Sequence, residues 1–237
     1  MKTPHSDSVK LLELVEQLKK RRRMFVLDDS YATLTTFLAG WAWALDYDLQ
    51  RFGDWLSERY AGHPPNVTWE YRARKIFSDL RPGAGDEELV QVFLGHLSEW
   101  LVGAPEVSPV SLDPRSDASL RGVRVREFRD FLSGCAEKPR VWLGSATFER
   151  FAGVVDGALG GWSSGNGVDA LSAWIAQEHS GGPYTSNPWW RLVAIMAKEQ
   201  GWGTDDASLI SRSVERLVTW VDAGMPDLRD IGRPATR

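Results

Sequence analysis

The pentapeptide Gly161-Trp162-Ser163-Ser164-Gly165 has the G-x-S-x-G spacing of a hydrolase nucleophile elbow. That chemistry needs a strand before the serine, a helix after it, and an acid and then a histidine downstream. Here helical periodicity precedes the serine, and the only later histidine is the nearby His179. The pentapeptide therefore reads as a glycine-rich connection between helices. Gly165-Asn166-Gly167-Val168-Asp169-Ala170 satisfies G-x-G-x-x-A and opens a helix. The dinucleotide fingerprint works only inside a strand–helix–strand unit, which the flanking sequence does not supply. No G-x-x-x-x-G-K-[ST] phosphate loop is present. His5, His63, His96 and His179 lie far apart without an H-E-x-x-H pair, and the one cysteine, Cys135, makes neither an internal disulfide nor a Cys-based metal site. The expectation is no metal, no cofactor and no catalytic constellation.

Charge and tryptophan supply the remaining candidates. Carboxylates cluster at Asp28-Asp29, Asp86-Glu87-Glu88 and Asp205-Asp206, each where a helix is expected to begin, and the helix dipole favours anions there. Lys19-Lys20-Arg21-Arg22-Arg23 is the strongest charge run. At a helix C-terminus such cations offset the dipole; as a surface they suit an acidic protein or a phosphate backbone. Trp189-Trp190 comes directly after Asn187-Pro188. Successive helical residues differ by about 100°, so one of the pair faces the core and its neighbour turns outward, where tryptophan is a strong interface anchor. The candidate partner-binding residues are thus Arg21, Arg22, Arg23, Trp189 and Trp190.

The elements that carry these residues read as helices throughout. Leu11, Leu14, Val15 and Leu18 form the stripe of a first helix. A short extended piece, Met24 to Leu27, leads to Asp28-Asp29-Ser30, which has N-cap chemistry for a helix through about Leu45. A third helix is expected over about 48–61, a fourth from near Val67, and a fifth from near Asp86 after the Arg81-Pro82-Gly83-Ala84-Gly85 turn. No segment alternates as a half-buried strand does. From Gly103 to about Gly122 the periodicity stops in a proline- and serine-rich stretch of linker composition.

The second half of the chain, beyond this linker, resembles the first. A displacement of 117 residues pairs Leu11, Leu14, Val15 and Leu18 with Phe128, Phe131, Leu132 and Cys135, and Arg23-Met24-Phe25 with Arg140-Val141-Trp142. It also pairs Tyr31, Leu34, Phe37 and Gly40 with Phe148, Phe151, Val154 and Gly157. Short insertions bring Trp55, Trp69, Asp86 and Trp100 onto Trp174, Trp189, Asp206 and Trp220. The segment paired with the basic run, Ala136-Glu137-Lys138-Pro139-Arg140, keeps few of its charges, which favours a shared structural need for Arg23 and Arg140. The fold class expected is all-α, with two tandem pseudo-repeated units of about five helices: 6–102, a linker at 103–122, 123–222, and a tail at 223–237.

Glu137-Lys138-Pro139-Arg140-Val141-Trp142-Leu143-Gly144, succeeded by a helix through Phe148, Phe151 and Gly157, resembles small uncharacterised bacterial proteins. In those proteins a first helix leads to an Arg-Pro-Gly-Met-Tyr-Leu-Gly-like turn. The first half carries a degraded version, Arg21 to Leu27, without the proline or glycine. The resemblance implies a repeated domain and no particular activity. A likeness of the same phrase to the ATPase region of DNA gyrase fails, because the Asp-x-Gly-x-Gly nucleotide motif is missing.

The chain has 237 residues, 43% hydrophobic and 25% charged, enough for a real core and against wholesale disorder. No apolar run is long enough to span a membrane, and MKTPHSDSVK lacks the apolar region of a secretory signal, so a cytoplasmic location is expected. Arginine outnumbers lysine by 21 to 7, the mixture of a high-GC bacterial genome. A net charge of -4 argues against nucleic acid as the partner. Twelve tryptophans exceed what a chain of this length needs, and with the mild acidity they suit capture of a basic protein. The function expected is a non-enzymatic protein-binding module, in concrete form an immunity or antitoxin-like inhibitor of a partner such as a toxin. The alternative is an enzyme or small-molecule-binding protein with its pocket between the helical units.

Overall fold

The computed structural model describes residues 6–45, 47–60, 67–103, 117–163, 166–180 and 187–225. Among them the chain is all-α, with eleven α-helices, one 3₁₀ turn and no strand. In order these are α1 (Ser6–Arg21), the 3₁₀ turn (Arg22–Met24), α2 (Tyr31–Ala44), α3 (Gln50–Arg59), α4 (Trp69–Leu80) and α5 (Asp86–Gly103). Then come α6 (Asp117–Glu137), the five-residue α7 (Pro139–Leu143), α8 (Phe148–Ser163), α9 (Asn166–Ser180), α10 (Trp189–Glu199) and α11 (Asp206–Asp222).

Two expectations shift. Met24 to Leu27 is not extended: its start closes a 3₁₀ turn in which Phe25 N donates to Arg22 O at 2.9 Å. The stretch expected as linker is helical from Asp117 onward, while 104–116 lie outside the described residues. Gly62 and Pro64, and the Gly181 and Pro183 that take the same places in the second half of the sequence, also fall outside them.

Contacts divide the chain into two compact units. The first comprises α1 to α5 together with residues 153–161 of α8. α1 buries Leu11, Leu14, Val15 and Leu18 and packs along α5. α2, YATLTTFLAGWAWA, is apolar or small around its whole circumference, the composition of a helix surrounded by protein. Its buried threonines satisfy themselves on the preceding turn: the Thr35 hydroxyl donates to Tyr31 O at 3.0 Å and Thr36 to Ala32 O at 2.8 Å. Phe93 of α5 is the aromatic centre, with Tyr31, Phe52 and Trp69 rings at 5.5, 5.9 and 6.0 Å. Arg72 of α4 is buried beneath α3, its Nη1 donating to Asp54 at 2.6 Å and its Nη2 to Val67 O at 3.3 Å.

α2 meets residues 153–161 at a crossing too close for side chains. A Cβ on Gly40 would strike the backbone of Val154 and Ala158, and one on Gly157 the backbone of Phe37 and Trp41. Glycine is the only residue whose absence of Cβ permits that approach.

The second unit is built from α6, α7, the ends of α8, and α9 to α11. α6 lies along α11, and α9 along α10. Phe128, Leu132 and Cys135 face inward from α6, while Trp189 opens α10 fully buried, edge-on to Phe148 and Phe151 at 6.3 Å each. Its backbone N–H donates to Ser172 Oγ at 2.9 Å, so the helix start is tied to α9.

One bond occurs in both units. Tyr31 N, the first N–H of α2, donates to Asp86 at 3.2 Å; Phe148 N, the first of α8, donates to Asp206 at 3.1 Å. Each satisfies an orphan helix donor with a carboxylate at the start of another helix. The dipole argument assigns these acids only to their own helices. Ser30 and Asp205 provide the local caps, accepting from Thr33 N and Ser208 N at 3.1 Å.

Candidate functional site

The basic run does not present five free cations. Lys19 Nζ donates to Glu16 at 2.7 Å on the same face of α1. Asp29 takes two more: Arg22 Nε donates to Oδ1 at 3.0 Å and Arg23 Nε to Oδ2 at 2.6 Å. Arg22 keeps 9% of its side-chain surface and turns its Nη1 into the protein, so it clamps the 3₁₀ turn and shows little to solvent. Asp29, expected among the helix-start carboxylates, instead holds that turn. Lys20 and Arg21 are exposed and form no ion pair among the described residues. Arg23 is exposed over its pair with Asp29, and Met24 beside it is 72% exposed.

The Arg23 guanidinium, and after it Arg22, holds the Asp29 carboxyl below its ordinary range. A folded-state value below the unfolded one contributes stability in full above about pH 4 and loses it as pH falls through the depressed value. Urea midpoints of the natural chain should therefore exceed those of Asp29→Asn at neutral pH and converge with them in acid. A constant difference down to the acid limit would refute this role for Asp29.

The short helix α7 carries the corresponding segment of the second unit. Pro139 opens it and Gly144, at φ 71°, closes it. Val141 is 75% exposed and Trp142 51%. The indole rests on α6 edge-on to Phe131 at 5.9 Å, over Gly134, where a Cβ would strike the ring. It is thus held in place yet left half open, and Lys138 and Arg140 in the same short segment are exposed. The sequence pairs this segment with Arg23-Met24-Phe25 without marking it as a contact. The available signal was a tryptophan on a helix too short to bury both faces.

Trp189 and Trp190 separate as the helical angle requires, one inward and one outward, which removes Trp189 from the candidate contact residues. Trp189 is a core residue with no accessible surface, and Trp190 is half-buried.

A polar cluster in the first unit is invisible to motif spacing. His96 and Glu99 stand one turn apart on α5, opposite Arg59 and Tyr60 at the end of α3. Arg59 Nη1 donates to Glu99 Oε1 at 2.6 Å. The other carboxylate oxygen lies 3.4 Å from His96 Nδ1, and His96 Nε2 lies 3.2 Å from the Tyr60 hydroxyl. The Arg59 hydrogen bond keeps Glu99 below its ordinary range, hence ionised and able only to accept. In the neutral imidazole Nδ1 must then carry the proton, Nε2 accepts, and the Tyr60 hydroxyl donates. Phe77 stacks behind the imidazole at 5.3 Å and 7°, and Arg59 lies over Trp55 at 5.1 Å. Metal-ligand spacing says nothing of this histidine; the usable signal was His-x-x-Glu on a helix face.

The remaining motifs gain no chemistry. Ser163 ends α8, while Ser164 and Gly165 lie outside the described residues, as do His5 and His63. Among the described residues no group of three or more His, Cys, Asp or Glu could hold a metal ion. Burial alone pushes the Cys135 thiol up to about 12. No helix among the described residues is long and apolar enough to cross a membrane. No protein-family model, curated protein or solved structure matches the chain.

Proposed function

We propose that the chain is a protein-binding module whose contacts are the apolar residues carried by the turns after α1 and α6. The observation that carries this reading is Trp142, 51% exposed on a five-residue helix with Val141 75% exposed beside it. An indole with one open face is the residue type that dominates binding energy when a partner desolvates it. Met24, flanked by exposed Arg21 and Arg23, offers the same combination in the first unit. We also read the two helix series as diverged copies, a reading supported by the recurring Tyr31–Asp86 and Phe148–Asp206 bonds.

The cations beside these residues favour a partner with an acidic rim around an apolar pocket, although the chain as a whole carries -4. Local charge at a contact, rather than net charge, sets that preference. Within this class we carry forward the immunity or antitoxin form, a folded inhibitor covering a partner's working surface.

The test is affinity capture from the source lysate with the natural chain and Trp142→Ala. We expect one protein recovered in near-equal amount, with the variant binding it at least about 2 kcal/mol more weakly, roughly 30-fold. The variant should stay folded, with its stability lowered by no more than about 1 kcal/mol for the indole's contacts on α6. Equal recovery by both chains would exclude Trp142 as the anchor.

A further inference from the structure

The carboxylate, imidazole and hydroxyl of Glu99, His96 and Tyr60 stand in the order of a hydrolase triad, with a phenol in the place of the serine. We propose that Tyr60 is an acyl-accepting nucleophile for activated carboxylic esters, with His96 as its base and Glu99 as the residue that positions the imidazole. This goes beyond the partner-binding reading and is independent of it.

Three observations carry the assignment. First, the proton order is fixed from one end: Glu99 can only accept, so the Nε2 lone pair of the neutral imidazole faces the Tyr60 hydroxyl. Second, the imidazole is held on several sides, with Phe77 stacked on it, Tyr60 edge-on at 5.6 Å and Trp55 at 6.3 Å. A base so confined loses little freedom on reaching the transition state. Third, the Arg59 guanidinium lies 5.9 Å from the centre of the Tyr60 ring and anchors the outer oxygen of Glu99. It places positive charge beside the tyrosine ring. At the corresponding place in the second unit Arg216 simply pairs with Glu178 at 3.2 Å.

In the reaction the Tyr60 oxygen bonds to the ester carbonyl carbon while its proton passes to His96 Nε2. The bond from that carbon to the leaving oxygen breaks, and the same proton goes to the departing alcohol. Water then adds to the acyl carbon and gives a proton through Nε2 to the leaving Tyr60 oxygen. Ester and water become acid and alcohol, and the chain is restored.

The full chain treated with p-nitrophenyl acetate provides the test, with acetylation at each tyrosine read by peptide mass spectrometry. Tyr71, 59% exposed on α4, is the control within the same molecule. We expect Tyr60 to acetylate about 100-fold faster than Tyr71, and His96→Gln to bring the ratio near one. Glu99→Gln should lower the ratio and move the ¹⁵N signals of the His96 ring away from the Nδ1-protonated form, a change that loss of packing alone does not produce. A Tyr60-to-Tyr71 ratio near one in the natural chain overturns the proposal without reliance on any variant. A folded His96→Gln chain that labels Tyr60 at the natural rate overturns it as well.

Discussion

Gly157→Ala will destabilise the folded chain by about 3 kcal/mol, the upper end of what a single added carbon does in a packed interior. The added Cβ would meet the carbonyl of Phe37 and lie 2.8 Å from Trp41 N, so the obstacles are backbone atoms with no alternative rotamer. α2 must move away from residues 153–161 along the whole crossing. That movement loosens Gly160 and Gly161 from Trp41 and Gly153 from Thr33. The expected loss is on the order of 10 °C in melting temperature. Gly95→Ala is the matched control: Gly95 lies exposed within α5, where a Cβ meets nothing within 4 Å. There the same substitution should stabilise by about 0.5–1 kcal/mol through helix propensity. Equal effects at the two positions would refute the close crossing.

Trp189→Ala will cost about 4 kcal/mol, in the range of large buried aromatic deletions. The indole is completely buried against Phe148 and Phe151, and the same residue ties α10 to α9 through its N–H to Ser172. Removing the ring leaves a cavity bounded by three helices. Its neighbour behaves differently. Trp190 is half-buried, and Trp190→Ala should change the urea midpoint by an amount equivalent to no more than about 1 kcal/mol. Comparable losses for the two would mean that Trp190 is also a core residue. The contrast bears on any binding experiment, because loss of a partner in the Trp189 variant would report unfolding, whereas loss in Trp142→Ala would report contact.

The helical class and most of the core were legible because apolar spacing is a local signal. Leu11, Leu14, Val15 and Leu18 are buried on one stripe, and Phe128, Leu132 and Cys135 match them on α6. Trp189 could be assigned inward from the place of Trp69. Periodicity carries no information on pairing across the fold. Asp29 was indistinguishable from a helix-start acid until its distances to Arg22 and Arg23 were known, and Arg72 gave no sign that a guanidinium would be buried under α3. Met24 to Leu27 has strand-like composition, but a four-residue run cannot form a ladder alone, and the Arg22 carbonyl closes a turn instead. The Tyr60–His96–Glu99 series draws on helices whose approach is set by Phe77 and Phe93, so its His-x-x-Glu portion was visible and its tyrosine was not.

Cys135 gives the second unit a built-in clock. It is the sole thiol of the chain, sits on α6 with no accessible surface, and is barely ionised at neutral pH. A thiol reagent can reach it only when the packing around it opens. With reagent in excess the labelling rate becomes the rate of that opening, and with reagent scarce it becomes the equilibrium population of the opened form. One unmodified sulfur thus records both the speed and the extent of that opening, with no probe introduced.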